Sequence, residues 1–314
     1  KLRLSSGDAP DIMFGGPGTY PELVNAGYIM DLSDKDYISR VSEGSLSLQK
    51  LDDKVYAVPL DQMANVVFYN KDIFNDLGLT VPTTYTEFID TCKALKDAGY
   101  AACAAGYQDQ ISIGANFYTM FYGTPYLSCE NYVDETQNQG KSWGEYPTFA
   151  QALTQFREII GYQNEDCRTI TTDRAEQLFA NGESGMIIIG TWGLGAIMNY
   201  NPDLNCGGFM YPSEEKAEDN AIPLNTDDCW MILNDSPNAD IADAFFEYMT
   251  RKDVNANWIG TVGQLSAPDG VEATQLPQGA ADIANLINGG CKVSMWTQHG
   301  APSGQYSTAY YNCL

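Results

Sequence analysis

The chain predicts an α/β fold of two lobes, and three observations carry that prediction. Short apolar runs alternate along it with amphipathic helical stripes, the pattern of strands and helices in succession. Its 314 residues are enough to build two cores. No linker rich in Pro, Gly or Ser separates the halves, so the lobes are expected to join through strands or short crossings. No internal repeat or low-complexity tract is present.

The elements follow in order. Asp11 to Phe14 (DIMF) reads as a short strand running into Gly15-Gly16-Pro17-Gly18. Such a loop brings backbone close to a ligand in open α/β sheets, although it lacks the G-x-G-x-x-G spacing of a dinucleotide loop. Tyr20 to Ala26 reads as a helix ended by Gly27. Lys54 to Pro59 and Asn65 to Tyr69 read as strands, with Asp61 in a polar loop between them and a helix beginning at Asn70. A carboxylate at the mouth of two buried strands can hold a polar ligand. Thr84-x-x-Glu87 makes a capping box before a helix with Phe88, Ile89, Cys92 and Leu95 on its apolar side. Tyr100 to Ala105 reads as a small-residue strand, followed by the polar loop Tyr107-Gln108-Asp109-Gln110. That loop is either ligand-facing or plain surface.

Pro147 starts a helix whose Phe149, Leu153, Phe156 and Ile160 form one core stripe. Asp173 to Ala180 reads as a shorter helix, stopped at Asn181-Gly182. Met186 to Ile189 (MIII) fits a parallel strand buried on both faces, turning at Gly190-Thr191-Trp192 into the next helix. Strands are expected at Gly207 to Tyr211 and Cys229 to Leu233, with a flexible acidic loop between them. Ser236-Pro237 opens a helix that buries Ala242, Phe245, Phe246 and Met249.

The formal net charge is −24. That charge repels nucleic acid and anionic membrane, so neither is an expected partner. It equally fits a solvated acidic surface. No run of 18 apolar residues exists to span a membrane. Twenty Tyr and five Trp offer faces that stack on sugar rings, though many will be core. The eight cysteines are dispersed, without a C-x-x-C pair, which fits either disulfides outside the cytoplasm or buried thiols. Cys206 with Cys229 is the favoured pair, on the expectation that their strands are neighbours. The opening KLRLSSGDAPDIMF looks like the end of a helix entering a strand, as if a leader and a first strand and helix were missing.

Catalytic and metal chemistry find little support. The one histidine, His299, lies in a loop-like TQHGAPSG context, so histidine-dependent nucleophilic catalysis and Cys/His zinc sites are not expected. Gly140-Lys141-Ser142 imitates a phosphate loop, but Glu135 occupies the required first glycine. Tyr310-Tyr311 invites a ferric reading and fits packing better. Paired carboxylates for glycoside chemistry are too numerous to exclude by counting.

Several phrases resemble, in order, the family 1 extracellular solute-binding proteins, the maltose-binding-protein-like group. They are Ser6-Gly7-Asp8-Ala9-Pro10-Asp11-Ile12, Gly27-Tyr28-Ile29-Met30-Asp31-Leu32, Tyr69-Asn70-Lys71-Asp72 and Pro82 to Phe88. Phe179-x-x-Gly182-Glu183-Ser184-Gly185-Met186 with Gly190-Thr191-Trp192, Asn234 to Phe246, and Gly263 to Ala267 continue the series. Tyr85 stands where the family has Trp, and Ser266 where it has Pro.

The resemblance implies a periplasmic-binding-protein-like α/β fold with hinge crossings, truncated at both ends. The first lobe would hold residues 1–78 and 233–270, the second 79–232 and 271–314. A mono- or oligosaccharide would be captured in an interlobe cleft for the membrane subunits of an ABC importer. The chain would be a monomer, extracytoplasmic, lipid-anchored or periplasmic, using no cofactor or metal and catalysing nothing. The alternatives are a polyamine, metal or peptide ligand on the same fold, or a glycoside-acting enzyme. The implied ligand contacts are Gly15 and Gly16 by close backbone approach, Asp61 and Asp227 through carboxylates, Asp109 and Gln110 from the second lobe, and Trp192 and Trp296 by stacking.

Overall fold

The computed structural model describes residues 9–129, 131–271 and 276–295. Along the chain, strand β1 is Ile12–Phe14 and helix α1 is Pro21–Asn25. Helix α2 (Glu43–Ser47) is capped by Ser42, whose hydroxyl accepts from the Ser45 amide. The short strands β2 (Lys50–Leu51), β3 (Lys54–Val55) and β4 (Val58–Pro59) lead into β5, Asp61–Asn70. Asn70 ends that strand and caps helix α3 (Lys71–Asp76) by accepting from the amides of Asp72 and Ile73. Helix α4 (Tyr85–Asp97) begins at the complete Thr84/Glu87 capping box.

Strand β6 is Ala101–Ala104, helix α5 Gln110–Phe121 and helix α6 Tyr132–Gln137. Helix α7 is Pro147–Ile160 and α8 is Thr172–Ala180. Strand β7 (Ser184–Gly190) turns through a single 3₁₀ turn, Thr191–Gly193, into helix α9, Leu194–Tyr200. Strands β8 (Cys206–Phe209), β9 (Ala221–Thr226) and β10 (Cys229–Ile232) follow. Helices α10 (Ala239–Met249) and α11 (Lys252–Val262), strand β11 (Leu265–Ser266), helix α12 (Gln278–Asn288) and strand β12 (Lys292–Met295) complete the order.

The chain divides into two compact units. One runs to Met63 and resumes for Asn225–Gln275; the other holds Ala64–Leu224 and resumes at Leu276. Two of the passages between units therefore lie inside β5 and β9. The boundaries expected from sequence fall after residues 78 and 232, whereas the units divide after Met63 and Leu224. Pairing of Asp61 with Ser266 and Gln62 with Leu265 extends β5 toward its start, so Asp61 belongs to a strand and not to a loop.

In the first unit β10 lies between β1 and β4, antiparallel to both. Its alternating side chains face two ways, as the period of a strand requires. Ile232 joins Leu32, Val58, Leu60 and Phe246 in one cluster; Cys229 and Met231 join Leu23, Val24 and Ala57 in another.

In the second unit β7 is antiparallel to β5 and parallel to β6, and β8 is antiparallel to β5. The MIII run is parallel on one side only. Every residue of β7 is buried, which accounts for an apolar run without alternation. Aromatic rings of α5, α6 and α7 and of Pro125–Ser128 fill much of this core. Phe117, Phe121 and Phe156 pack there with Tyr122, Tyr126 and Tyr132, so the tyrosine content is in good part structural.

The expected Cys206–Cys229 disulfide is not formed. β8 pairs with β5 while β10 pairs with β1 and β4, so the strands are not neighbours, and both thiols are free and buried.

Candidate functional site

In the first unit the candidate residues gather around the turn before β10. Gly15 donates its amide to the Cys229 carbonyl at 2.7 Å. Its φ of +120° suits glycine, and a Cβ there would lie 2.6 Å from the Tyr20 ring. A Cβ on Gly16 would lie 2.4 Å from Gln49 Oε1. Both glycines thus make room for neighbours within their own unit.

Asp61 has no exposed surface. One carboxyl oxygen accepts from the Asp228 amide and the other from Trp258 Nε1, each at 2.8 Å. Its carbonyl accepts from the Asp227 amide. Burial, with the Asp228 carboxylate adding to it, pushes the carboxyl up to about 8 against the pull of those hydrogen bonds. The Asp61 side chain therefore holds the Asp227-Asp228 turn against α11 from beneath. Asp227 itself is half-buried, accepts from Gln264 Nε2 at 2.6 Å, and is pushed up to about 6 by burial and by Asp228.

Two further side chains from this unit brace the same region. Gln49 Nε2 donates to Thr226 Oγ1 at 2.8 Å, and Gln62 Nε2 to Ser45 Oγ at 2.7 Å. Trp258 and the three glutamines were not singled out from sequence. Trp258 lies in an ordinary helical stretch, and its tie to Asp61 spans 197 positions, which no local pattern reports.

In the second unit Asp109 caps α5. It accepts from the Ile111 amide, and also from the Thr172 amide at 2.7 Å and the Thr172 hydroxyl. It thereby ties the start of α5 to the start of α8. Burial alone would raise its carboxyl, but these bonds outweigh it and hold it below the usual range. Gln110 is the first residue of α5.

Trp192 is half-buried on the turn after β7. The pyrrole edge of its indole lies across Gly190, where a Cβ would meet Nε1 at 2.1 Å. A Cβ on Gly193 would meet Ile189 at 2.6 Å and Glu176 Oε1 at 3.2 Å. The G-T-W-G phrase is thus a packing solution: one glycine beds the indole, the other admits Ile189 and Glu176. Glu176 was read from sequence only as part of a short helix.

Trp296, His299 and Tyr310-Tyr311 lie outside the described residues. Among the described residues, no group of three or more His, Cys, Asp or Glu side chains could hold a metal ion, and no helix is long and apolar enough to cross a membrane.

Comparison with known proteins adds the following. The family model described as bacterial extracellular solute-binding protein matches residues 1–256. The multiple sugar-binding protein of Streptococcus mutans serotype c is 27% identical over 279 residues, covering 86% of this chain and 66% of that protein. The melibiose/raffinose/stachyose-binding protein MelE of Bacillus subtilis is 24% identical, covering 90% and 64%. The chain thus spans just under two thirds of the length of these curated relatives. The structure of the solute-binding protein RafE in complex with raffinose superposes with a TM-score of 0.82 at 24% identity, covering 99% of this chain and 82% of that one. At that identity the likeness speaks for the fold.

Proposed function

Because this chain belongs to the bacterial extracellular solute-binding proteins, we propose that it captures a carbohydrate outside the cytoplasm for the membrane subunits of an ABC importer. The observation that carries the reading is Trp192. Its indole is bedded on Gly190 at the end of a buried strand and leaves part of its surface open. A rigid aromatic face of this kind suits the C–H face of a sugar ring, and its polar edge suits the hydroxyl rim.

The relatives named for multiple sugars and for melibiose, raffinose and stachyose support the ligand class. Asp227 is the proposed carboxylate contact from the first unit, since its surface is partly open while Asp61 lies beneath it. A carboxylate accepts hydrogen bonds from sugar hydroxyls strongly. In this reading Asp61, Gly15, Gly16 and Asp109 shape and stiffen the contact regions. The protein binds and releases its ligand unchanged, works as a monomer, and needs no cofactor.

Thermal denaturation in the presence of raffinose, stachyose, melibiose and their component monosaccharides tests the proposal. Ligand at ~100 times Kd adds about 2.7 kcal/mol to the native state, a Tm increase on the order of 5–10 °C. Recovery of the sugar intact after long incubation is the companion result. A flat response to every sugar, or release of hydrolysis products, would overturn the reading.

A further inference from the structure

Glu176 lies on α8 and is only 5% exposed. Its carboxyl makes no hydrogen bond to any described residue. The neighbouring carboxylates are committed: Asp109 to Thr172 and Ile111, and Asp173 to the Tyr200 hydroxyl and Gln177 Nε2. Within this acidic corner, Glu176 is the carboxyl among the described residues with its bonding capacity unspent.

Its position is set by the turn that presents Trp192. Oε1 comes within 3.2 Å of where a Gly193 side chain would begin, one residue from Trp192. The Trp192 indole N–H likewise has no acceptor among the described residues. The largely buried Glu176 carboxyl on α8 and the half-buried indole N–H of Trp192 thus flank one partly open aromatic face with their hydrogen bonds to the described residues unmade, a place where a ligand can supply the partners. Burial, with Asp173 and Asp109 nearby, pushes the Glu176 carboxyl up to about 7. A carboxyl poised there can both donate to and accept from neutral hydroxyls, whereas a fixed anion only accepts.

We propose that Glu176 is a ligand-binding residue, exchanging hydrogen bonds with hydroxyls of a sugar ring that lies on Trp192, while the indole N–H donates to the same ring. The inference rests on the carbohydrate reading above and extends it to a residue on a different helix from the aromatic one.

The test is calorimetric titration of raffinose, or of whichever sugar in the panel raises Tm most, into the wild type, Glu176→Leu and Glu176→Gln. Leucine keeps the buried volume and removes both hydrogen-bonding oxygens; glutamine keeps shape with one donor and one acceptor. Loss of at least one bond should weaken binding about tenfold or more in Glu176→Leu, at an unreduced Tm, with a smaller loss in Glu176→Gln. Wild-type affinity in a folded Glu176→Leu overturns the proposal and leaves sugar binding standing. Equal losses in the two variants overturn it as well, since packing alone would then explain them. If the wild type itself binds no sugar, the carbohydrate reading fails and takes the proposal with it.

Discussion

Asp61 supports two donors with a carboxyl that has no exposed surface, so the bonds are only as strong as its burial is complete. Replacing Trp258 by Phe keeps most of the packing against α11 and removes one donor. The expected loss is about 1–3 kcal/mol in urea unfolding, because a buried carboxyl is left short of a partner. An unchanged midpoint would show that the indole bond contributes nothing. Asp109 is the opposite case. Its oxygens gather backbone and hydroxyl donors from two helix starts, and it is held ionised where Asp61 is pushed toward its neutral form. Two aspartates that both counted as ligand candidates from sequence thus differ through their donors and burial.

At the scale of elements, local signals were the legible ones. The capping box before α4 was readable because Thr84 and Glu87 sit three residues apart and satisfy each other's backbone. Thr84→Ala should cost about 1 kcal/mol, seen as a lower urea midpoint with an unchanged m-value. No change would mean that the Glu87 bonds to Thr83 suffice. Helix α7 was legible for a similar reason, since its apolar residues recur with the helical period. Helix α5 was not, because QISIGANFYTMF is buried on most sides and shows no stripe. Strand β9 was hidden by Pro223 in its centre, and β5 was shortened because its polar start pairs with the distant β11. The same limit applied to the candidate site. Trp192 stood out by type and by its place after a buried strand. Glu176 looked like one more acidic residue of a short helix, and only packing against Gly193 distinguishes it.

At the scale of the molecule, the raised carboxyls set the dependence of stability on pH. Asp61, Asp227 and Glu176 carry folded values of about 8, 6 and 7 against ordinary values near 4. The folded state therefore holds protons that the unfolded chain has released, so stability falls as pH rises from about 4 to about 8. The net charge of −24 acts in the same direction through self-repulsion. Asp109, held low, contributes stability that is lost only as pH falls below the ordinary carboxylate range. Tm should thus be higher at pH 5 than at pH 8 by roughly 5 °C or more; a Tm that rises between pH 5 and 8 would contradict the assignment of these groups. The order of strands also has a consequence for synthesis. β1 and β4 are both emitted early, yet each is bonded to β10, which appears about 170 residues after β4. At ~5–20 residues per second that is on the order of 10–35 s during which β1 and β4 lack the strand they pair with. The sheet begun first is thus completed after the one begun second, since β5, β6, β7 and β8 are all made and can pair before β10 appears.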